Sequence, residues 1–303
     1  MRTSSIRMLL AAFGVALFFV PILAWGASAS PASHSRDDWD DFSVKTQETI
    51  QKSFTLPADG HKSLDIDTVW GSIEVVGGSG NQVQVSVSKT IRARSDEALQ
   101  RAKKEVTLDA TQNGGDVKLY ENGPFRCNCD DCRGRHDDDD YVVQMDFKVQ
   151  VPQQIDLDVR TVNDGRVHIS NVTGDFLVRN VNGDIRMDSI AGSGSARTVN
   201  GPVTVSFREN PSANSDFRTV NGAVELRFQQ GLNAAFRMKT FNGGIYTDFP
   251  VTALPLRPVS EERHGGKMVF RADRMTGVQI GTGGPEIQIE NLNGDIRILN
   301  DHE

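Results

Sequence analysis

The chain has 303 residues, 38% of them hydrophobic, and its 33 Lys and Arg stand against 40 Asp and Glu for a formal charge of −7. That acidic balance argues against a dedicated nucleic-acid binder. Beyond an N-terminal leader, about 270 residues remain, enough for one elongated domain or two small ones.

Arg2 and Arg7 precede an apolar run from Met8 to Trp25, and Ala27-Ser28-Ala29 follows. Basic start, apolar middle and small-residue exit read as a secretory signal peptide over 1–29. The competing reading is an uncleaved anchor helix, since the run just suffices to span a bilayer. Pro21 and the small residues after it favour cleavage, which leaves no membrane span. Export then puts the protein in the periplasm, cell envelope or outside the cell. Residues 30–41, rich in Ser, Pro and Asp, read as a disordered leader.

Residues 42–154 form a β-rich N-terminal portion. Leu64, Ile66, Val69, Ile73 and Val75 mark short strands, and VQVSVS at 83–88 alternates with period two. Ser95–Leu108 predicts the one helix, with Ser95 as N-cap and a stripe of Ala98, Leu99, Ala102 and Val106. Val117–Tyr120 and Tyr141–Val151 read as strands flanking a charged loop, 121–140. In that loop Cys127, Cys129, Cys132 and His136 could supply a Cys3His zinc site. One disulfide plus a free thiol is the competing reading outside the cytosol. No other cofactor is expected. Asp137–Asp140 lacks the Gly and Glu positions of a Ca²⁺ loop.

Residues 155–300 are governed by a repeat. Gly165, Gly174, Gly183, Gly192 and Gly201 fall nine residues apart, and the phrase RTVNDG at 160–165 returns as RNVNG, RTVNG, RTVNG, KTFNG and ENLNG. The spacing predicts an all-β fold, a β-solenoid with coils of 18 to 21 residues, against the alternative of ordinary Asn-Gly hairpins. Alternation sends Val159, Val178, Ala196, Phe217, Met238 and Ile289 inward with Thr161, Asn180, Thr198, Thr219, Thr240 and Asn291. It sends Arg160, Arg179, Arg197, Arg218 and Lys239 outward, with Glu290 as the sixth member of that column. Strict alternation also sends out the apolar Val162, Val181, Val199, Val220, Phe241 and Leu292, so the chain is expected to bend there. Asn163, Asn182, Asn200, Asn221, Asn242 and Asn293 form an amide ladder. Each Gly that follows is expected to serve a corner with positive φ. Trp70-Gly71-Ser72-Ile73 is a degenerate earlier copy, with Trp70 where Asn would sit. The last coil, ending in GDIRILN, is expected to need a cap, a partner or a second copy.

These phrases, the closing GTGGPEIQIENLNGDIRIL at 281–299, the earlier VWGSIEV and the VxVP at 149–152 resemble the bacterial putative-adhesin family, formerly a domain of unknown function. That family is related to the head domain of putative auto-transporter adhesins. The likeness spans Phe42 to Leu299 and implies a right-handed β-helix-like fold and an envelope or surface location. It implies no catalytic residues.

The outward basic column could grip an anionic glycan. The competing reading is a solvated face paired with Asp158, Asp175, Asp184 or Glu225. Asp156, Asp158 and Asp188 are the best carboxylate group for a polysaccharide-active enzyme, but no nucleophile, zinc or phosphate-loop motif occurs and no enzyme is expected. Asp175, Asp184 and Asp295 follow glycines as in Ca²⁺-binding repeats, yet Pro202, Ala223 and Gly244 break that pattern. Asn171-Val172-Thr173 is a glycosylation sequon. The expected function is an adhesin or scaffold presenting a repetitive face to glycan or an envelope protein. The alternative is an envelope-stress or signalling component that binds a partner through loops 121–140 or 250–266. The oligomeric state is left open.

Overall fold

The computed structural model describes residues 42–126, 140–257, 260–264, 267–271 and 275–301. Residues 1–41, expected to hold the signal peptide and leader, and Cys127, Cys129, Cys132 and His136 lie outside the described residues. The strands run β1 (Val44–Thr55), β2 (Ser63–Asp67), β3 (Ile73–Gly78) and β4 (Gln82–Ala93), then helix α1 (Asp96–Glu105). There follow β5 (Thr107–Asn113), β6 (Asp116–Asn122), β7 (Tyr141–Pro152), β8 (Asp156–Arg160), β9 (Val167–Ser170) and β10 (Phe176–Arg179). Next come β11 (Ile185–Ala191), β12 (Gly194–Arg197), β13 (Val203–Glu209), β14 (Ser215–Asn221) and β15 (Val224–Phe228). The last are β16 (Ala234–Lys239), β17 (Ile245–Thr247), β18 (Val251–Leu254), β19 (Ser260–His264), β20 (Lys267–Arg271), β21 (Thr276–Ile280), β22 (Glu286–Asn293) and β23 (Ile296–Asn300).

Two large sheets result, of ten and eleven strands, with β19 and β20 as a separate hairpin. The repeat strands alternate between them. β8, β10, β12 and β14 pair in parallel in one sheet, while β9, β11, β13 and β15 do so in the other. Each rung is therefore one strand, a corner, and one strand of the opposite sheet. Inward positions of both sheets meet in a dry core, and Val159, Val178, Ala196 and Phe217 are each fully buried. Phenylalanines form a spine along it: Phe207 stacks on Phe228 with ring centres 5.0 Å apart, and Phe217 and Phe236 meet these rings edge-on.

Spatial order departs from chain order at both ends. β2 and β3 stack directly on β8 and β9, and β6 and β7 lie beyond them. Both sheets thus run unbroken across position 154. At the other end β22 lies between β14 and β16, and β23 between β15 and β17. The rung Glu286–Asn300 is an inner rung, contrary to the expectation that it ends the stack. Its neighbour β17 is the edge of its sheet, and antiparallel β21 and β18 extend the other sheet beyond β16.

The helix is shorter than expected. The Ser95 hydroxyl caps it by accepting from the Ala98 amide, with Asp96 and Glu97 in the first turn. It stops at Glu105 because Val106 and Thr107 are β-branched and the chain turns extended, pairing Leu108 with Glu121 across β5 and β6. The buried Lys89 ammonium donates to the Val106 carbonyl at 2.7 Å, fixing that exit.

Corner glycines have a more general cause than φ. Gly183 does lie at φ 156°, but Gly165 and Gly243 are not among the positive-φ residues, and Asp164 takes that conformation in the first copy. What all three share is contact with the rung below. A Cβ on Gly183 would sit 2.1 Å from the Gly165 carbonyl oxygen, one on Gly165 2.0 Å from that of Gly71, and one on Gly243 2.0 Å from that of Gly294. Only hydrogen fits in that gap.

Candidate functional site: the repeat corner and its charged column

The repeated phrase builds three adjoining stripes on the outer surface. In the first, Asp67, Arg160, Arg179, Arg197, Arg218, Glu290 and Lys239 stand in register, rung after rung. The four arginines are half-exposed and each has a carboxylate partner. Arg160 meets Asp67 at 3.2 Å and Arg179 meets Asp158 at 3.2 Å. Asp216 accepts from both Arg197 at 2.7 Å and Arg218 at 2.8 Å, and Glu290 also reaches Arg218 at 3.2 Å. The hydrogen bond that Arg218 donates to Asp216 is the largest cause raising the Arg218 pKa further above its ordinary value. Of the acids anticipated as partners, Asp158 is the one that meets this column. Asp67 and Asp216 were missed, although Asp216 precedes Arg218 by two and so shares its strand face.

The second stripe is the apolar position before each Asn. Val199, Val220 and Leu292 are exposed, Val162 and Val181 half-buried, and Phe241 is 74% exposed. The expected bend follows β8, β10, β12 and β16, past whose ends Val162, Val181, Val199 and Phe241 lie, whereas Val220 and Leu292 are still within β14 and β22, one residue before each strand ends.

The third stripe is the amide ladder. Asn182 donates to Asn163 at 2.9 Å, Asn200 to Asn182 and Asn221 to Asn200 at 2.8 Å each. Asn293 donates to Asn221, and Asn242 to Asn293, both at 2.7 Å. The ladder thus follows spatial rather than chain order.

Behind the stripes, the inward Thr/Asn column clamps each rung to the next. The Thr161, Thr198, Thr219 and Thr240 hydroxyls donate to the carbonyls of Gly71, Gly183, Gly201 and Gly294 at 2.8–3.0 Å. The side-chain amides of Asn180 and Asn291 donate likewise to Gly165 and Gly222. Thr68 begins this column, but there Glu121 replaces the glycine carbonyl. Its fully buried carboxylate accepts from the Thr68 hydroxyl at 2.7 Å and the Val69 amide at 2.6 Å. Burial pushes the Glu121 carboxyl above its ordinary pKa, against the opposing pull of those donors and of Arg126. Arg126 donates to the Glu121 carbonyl and to Asp67, so it ties this corner to the charged stripe. Nothing in the repeat phrase pointed to Glu121.

The carboxylates considered for catalysis do not meet. Asp156 and Asp158 lie on β8, whereas Asp188 lies on β11 of the other sheet, bonded to His168 at 2.9 Å and Arg186 at 2.7 Å. Asp156 faces His61 at 3.4 Å and accepts from the Asp175 amide. Asp184 faces Arg166 and Asp295 faces Arg297, so two of the three glycine-following acids sit beside cations. The sequon Asn171 donates to the Gly77 carbonyl and accepts from Arg208. Among the described residues no three His, Cys, Asp or Glu side chains are placed to hold a metal ion, and no helix is long and apolar enough to cross a membrane.

Residues 153–244, which hold most of this corner, match the protein-family model described as Toastrack DUF4097. That segment carries the RTVNG phrases on which the resemblance to the putative-adhesin family rests. No curated protein matches the sequence. Among solved structures, a putative cell adhesion protein from Clostridium sporogenes is similar at 10% identity, covering 84% of this chain and 100% of that one with a TM-score of 0.36. A putative adhesin from Bacteroides fragilis is similar at 11% identity, with 84% and 97% covered and a TM-score of 0.36. A putative lipid binding protein from Parabacteroides distasonis is similar at 11% identity, with 84% and 97% covered and a TM-score of 0.28.

Proposed function

We propose that this chain is an exported, non-enzymatic envelope or cell-surface protein built as a β-solenoid, an adhesin or scaffold whose repeating outer face binds glycan or protein. The observation that carries the reading is the corner itself. One phrase places the same groups in line at every rung, about 4.8 Å apart, and a surface of that kind suits a ligand that also repeats. Alternation of strands between two parallel stacks, closed by hydrogen-bonded corners, supports the solenoid. The basic start, apolar run and small-residue exit of residues 1–29 support export. The ion pairs along the arginine column favour a solvated, self-neutralised face there.

The test is retention of the purified protein on immobilised neutral and anionic polysaccharides at low and high salt, with parallel capture from an envelope extract. Retention on a polysaccharide is the expected result. Retention on none, with one specific envelope protein recovered, would replace this reading by the signalling one.

A further inference from the structure

We infer that the binding surface is the Val–Asn corner and not the arginine column, and that its ligand is a single extended chain of neutral, polyhydroxylated units, a neutral glycan. The inference rests on the polymer-binding reading above and deepens it.

Three observations carry it. The first is continuity. Val162, Val181, Val199, Val220, Leu292 and Phe241 follow one another in spatial order, with the amide ladder linking the Asn beside each. A continuous row of apolar side chains, four of them exposed and two half-buried, is a different matter from scattered exposed residues. At the rung spacing the row is a ribbon about 25–30 Å long and, across its apolar and Asn positions, roughly 7 Å wide. Doubled in a face-to-face dimer, such a ribbon falls well below the ~1,200 Å² of a stable protein interface. Its shape fits one extended chain.

The second observation is charge. The neighbouring arginines are each neutralised by Asp67, Asp158, Asp216 or Glu290. A polyanion would have to displace those carboxylates, whereas a neutral chain leaves them in place.

The third is which hydrogen-bonding groups remain. The Val162, Val181, Val199 and Leu292 carbonyls already accept from the Asn amides of adjacent rungs at 2.8 Å. The backbone amides of Gly183, Gly201, Gly222 and Gly294 already donate to the adjacent Asn carbonyls. An added peptide strand needs such backbone groups free. A side-chain amide carries two N–H groups and an oxygen with two lone pairs, and the ladder engages one of each. Every inner rung therefore offers one N–H and one lone pair beside an apolar side chain. Ring C–H faces match the apolar row, and hydroxyls, which both donate and accept, match the amides.

The test uses the full protein and a panel of neutral polysaccharides (cellulose, chitin, mannan and dextran) with dextran sulfate as the anionic probe. Binding is measured at about 0.02 M and about 0.5 M salt. The variants are Val199→Gln with Val220→Gln, Phe241→Gln alone, and Arg197→Gln with Arg218→Gln. Expected is binding to a neutral polysaccharide that survives high salt. It should weaken about tenfold in the valine pair and in F241Q and change less than about twofold in the arginine pair. F241Q alters an exposed side chain, so its fold is safe and its result stands alone. Neutral binding unchanged in corner variants that melt like the parent would overturn the corner but leave the polymer reading intact. Binding to dextran sulfate alone, lost at high salt and in the arginine pair, would return the site to the arginine column. Retention on no polysaccharide would remove both readings.

Discussion

Glu121 does at one corner what a glycine carbonyl does at the others. The clamp column needs an acceptor for Thr68, and there the carboxylate of Glu121, at the end of the neighbouring strand β6, fills the place. The cost is desolvation, which raises the Glu121 pKa. The sign of the pH effect follows. A carboxyl whose folded-state pKa exceeds its unfolded value holds its proton more tightly when folded. Its contribution to stability is full below the ordinary Glu range and is lost as pH rises through the folded value. Glu121→Gln keeps an oxygen for the Thr68 and Val69 donors but cannot ionise. We expect the melting temperature of this variant, relative to the parent, to rise as pH increases from the ordinary Glu range, over a pH 4 to pH 7 series. A difference that stays flat over that range would mean that Glu121 titrates as an ordinary surface carboxylate. Asp188 behaves oppositely: burial works upward on it, but the bonds from Arg186 and His168 outweigh that and lower its pKa.

At the scale of elements, the placement of β22 brings opposite charges into register. Every rung carries the same Asn-Gly corner, so hydrogen bonding alone lets any rung stack on any other. Pairing β14 directly with β16 would set Arg218 beside Lys239. Inserting β22 sets Glu290 between them, in register with both and 3.2 Å from Arg218. Opposite charges on adjacent strands stabilise pairing and like charges oppose it. Glu290→Lys should therefore lower stability by about 1–2 kcal/mol at low salt, mostly recovered at high salt. Thermal melts of E290K and E290Q in both conditions measure this, and an E290K melt equal to the parent at low salt would discard the idea. The same rung shows how far the sequence could be read. Alternation revealed which residues point in and which line the surface, since period two fixes a strand's faces once its corner is known. The sheet partners of each rung were hidden, because near-identical phrases carry no address. The one address was in plain view: Glu290 is the lone acid at that position among the six repeat phrases. Glycine at the corner was recognised, but its cause is the carbonyl of the rung below, a contact that exists only after stacking. Asp67, far from Arg160 in sequence, could not be paired with it before β2 was known to lie against β8.

The stack of rungs differs at its two ends. One is closed by the long β1–β4–β7 pairing, whose edge strand carries Lys45, Glu48 and Lys52, and by α1, which buries Ala98, Leu99 and Ala102. Charges on an edge discourage further pairing. The other end is thinner. β17 has three residues and pairs on one side only, Ile245 is half-buried, and Tyr246 and Phe241 are exposed. In a stack of rungs, stability is the sum of nearest-neighbour contacts, so a rung with one neighbour opens before a rung with two. Chain order and spatial order then make opposite forecasts. If the rungs stacked in chain order, Glu286–Asn300 would be terminal and its amides would exchange fastest. With that rung held between two others, and with Asp301 accepting from Ser206 at 3.0 Å, its amides should exchange as slowly as those of Ile185–Ala191. The fast-exchanging strand should instead be Ile245–Thr247, some forty residues earlier in the chain. Peptide-resolved hydrogen exchange on the folded protein reads both segments in one experiment. Slow exchange at 245–247 with fast exchange at 286–300 would refute the intercalated order. The expected pattern, a protected segment late in the chain beside a labile one before it, has no source in a stack assembled in sequence.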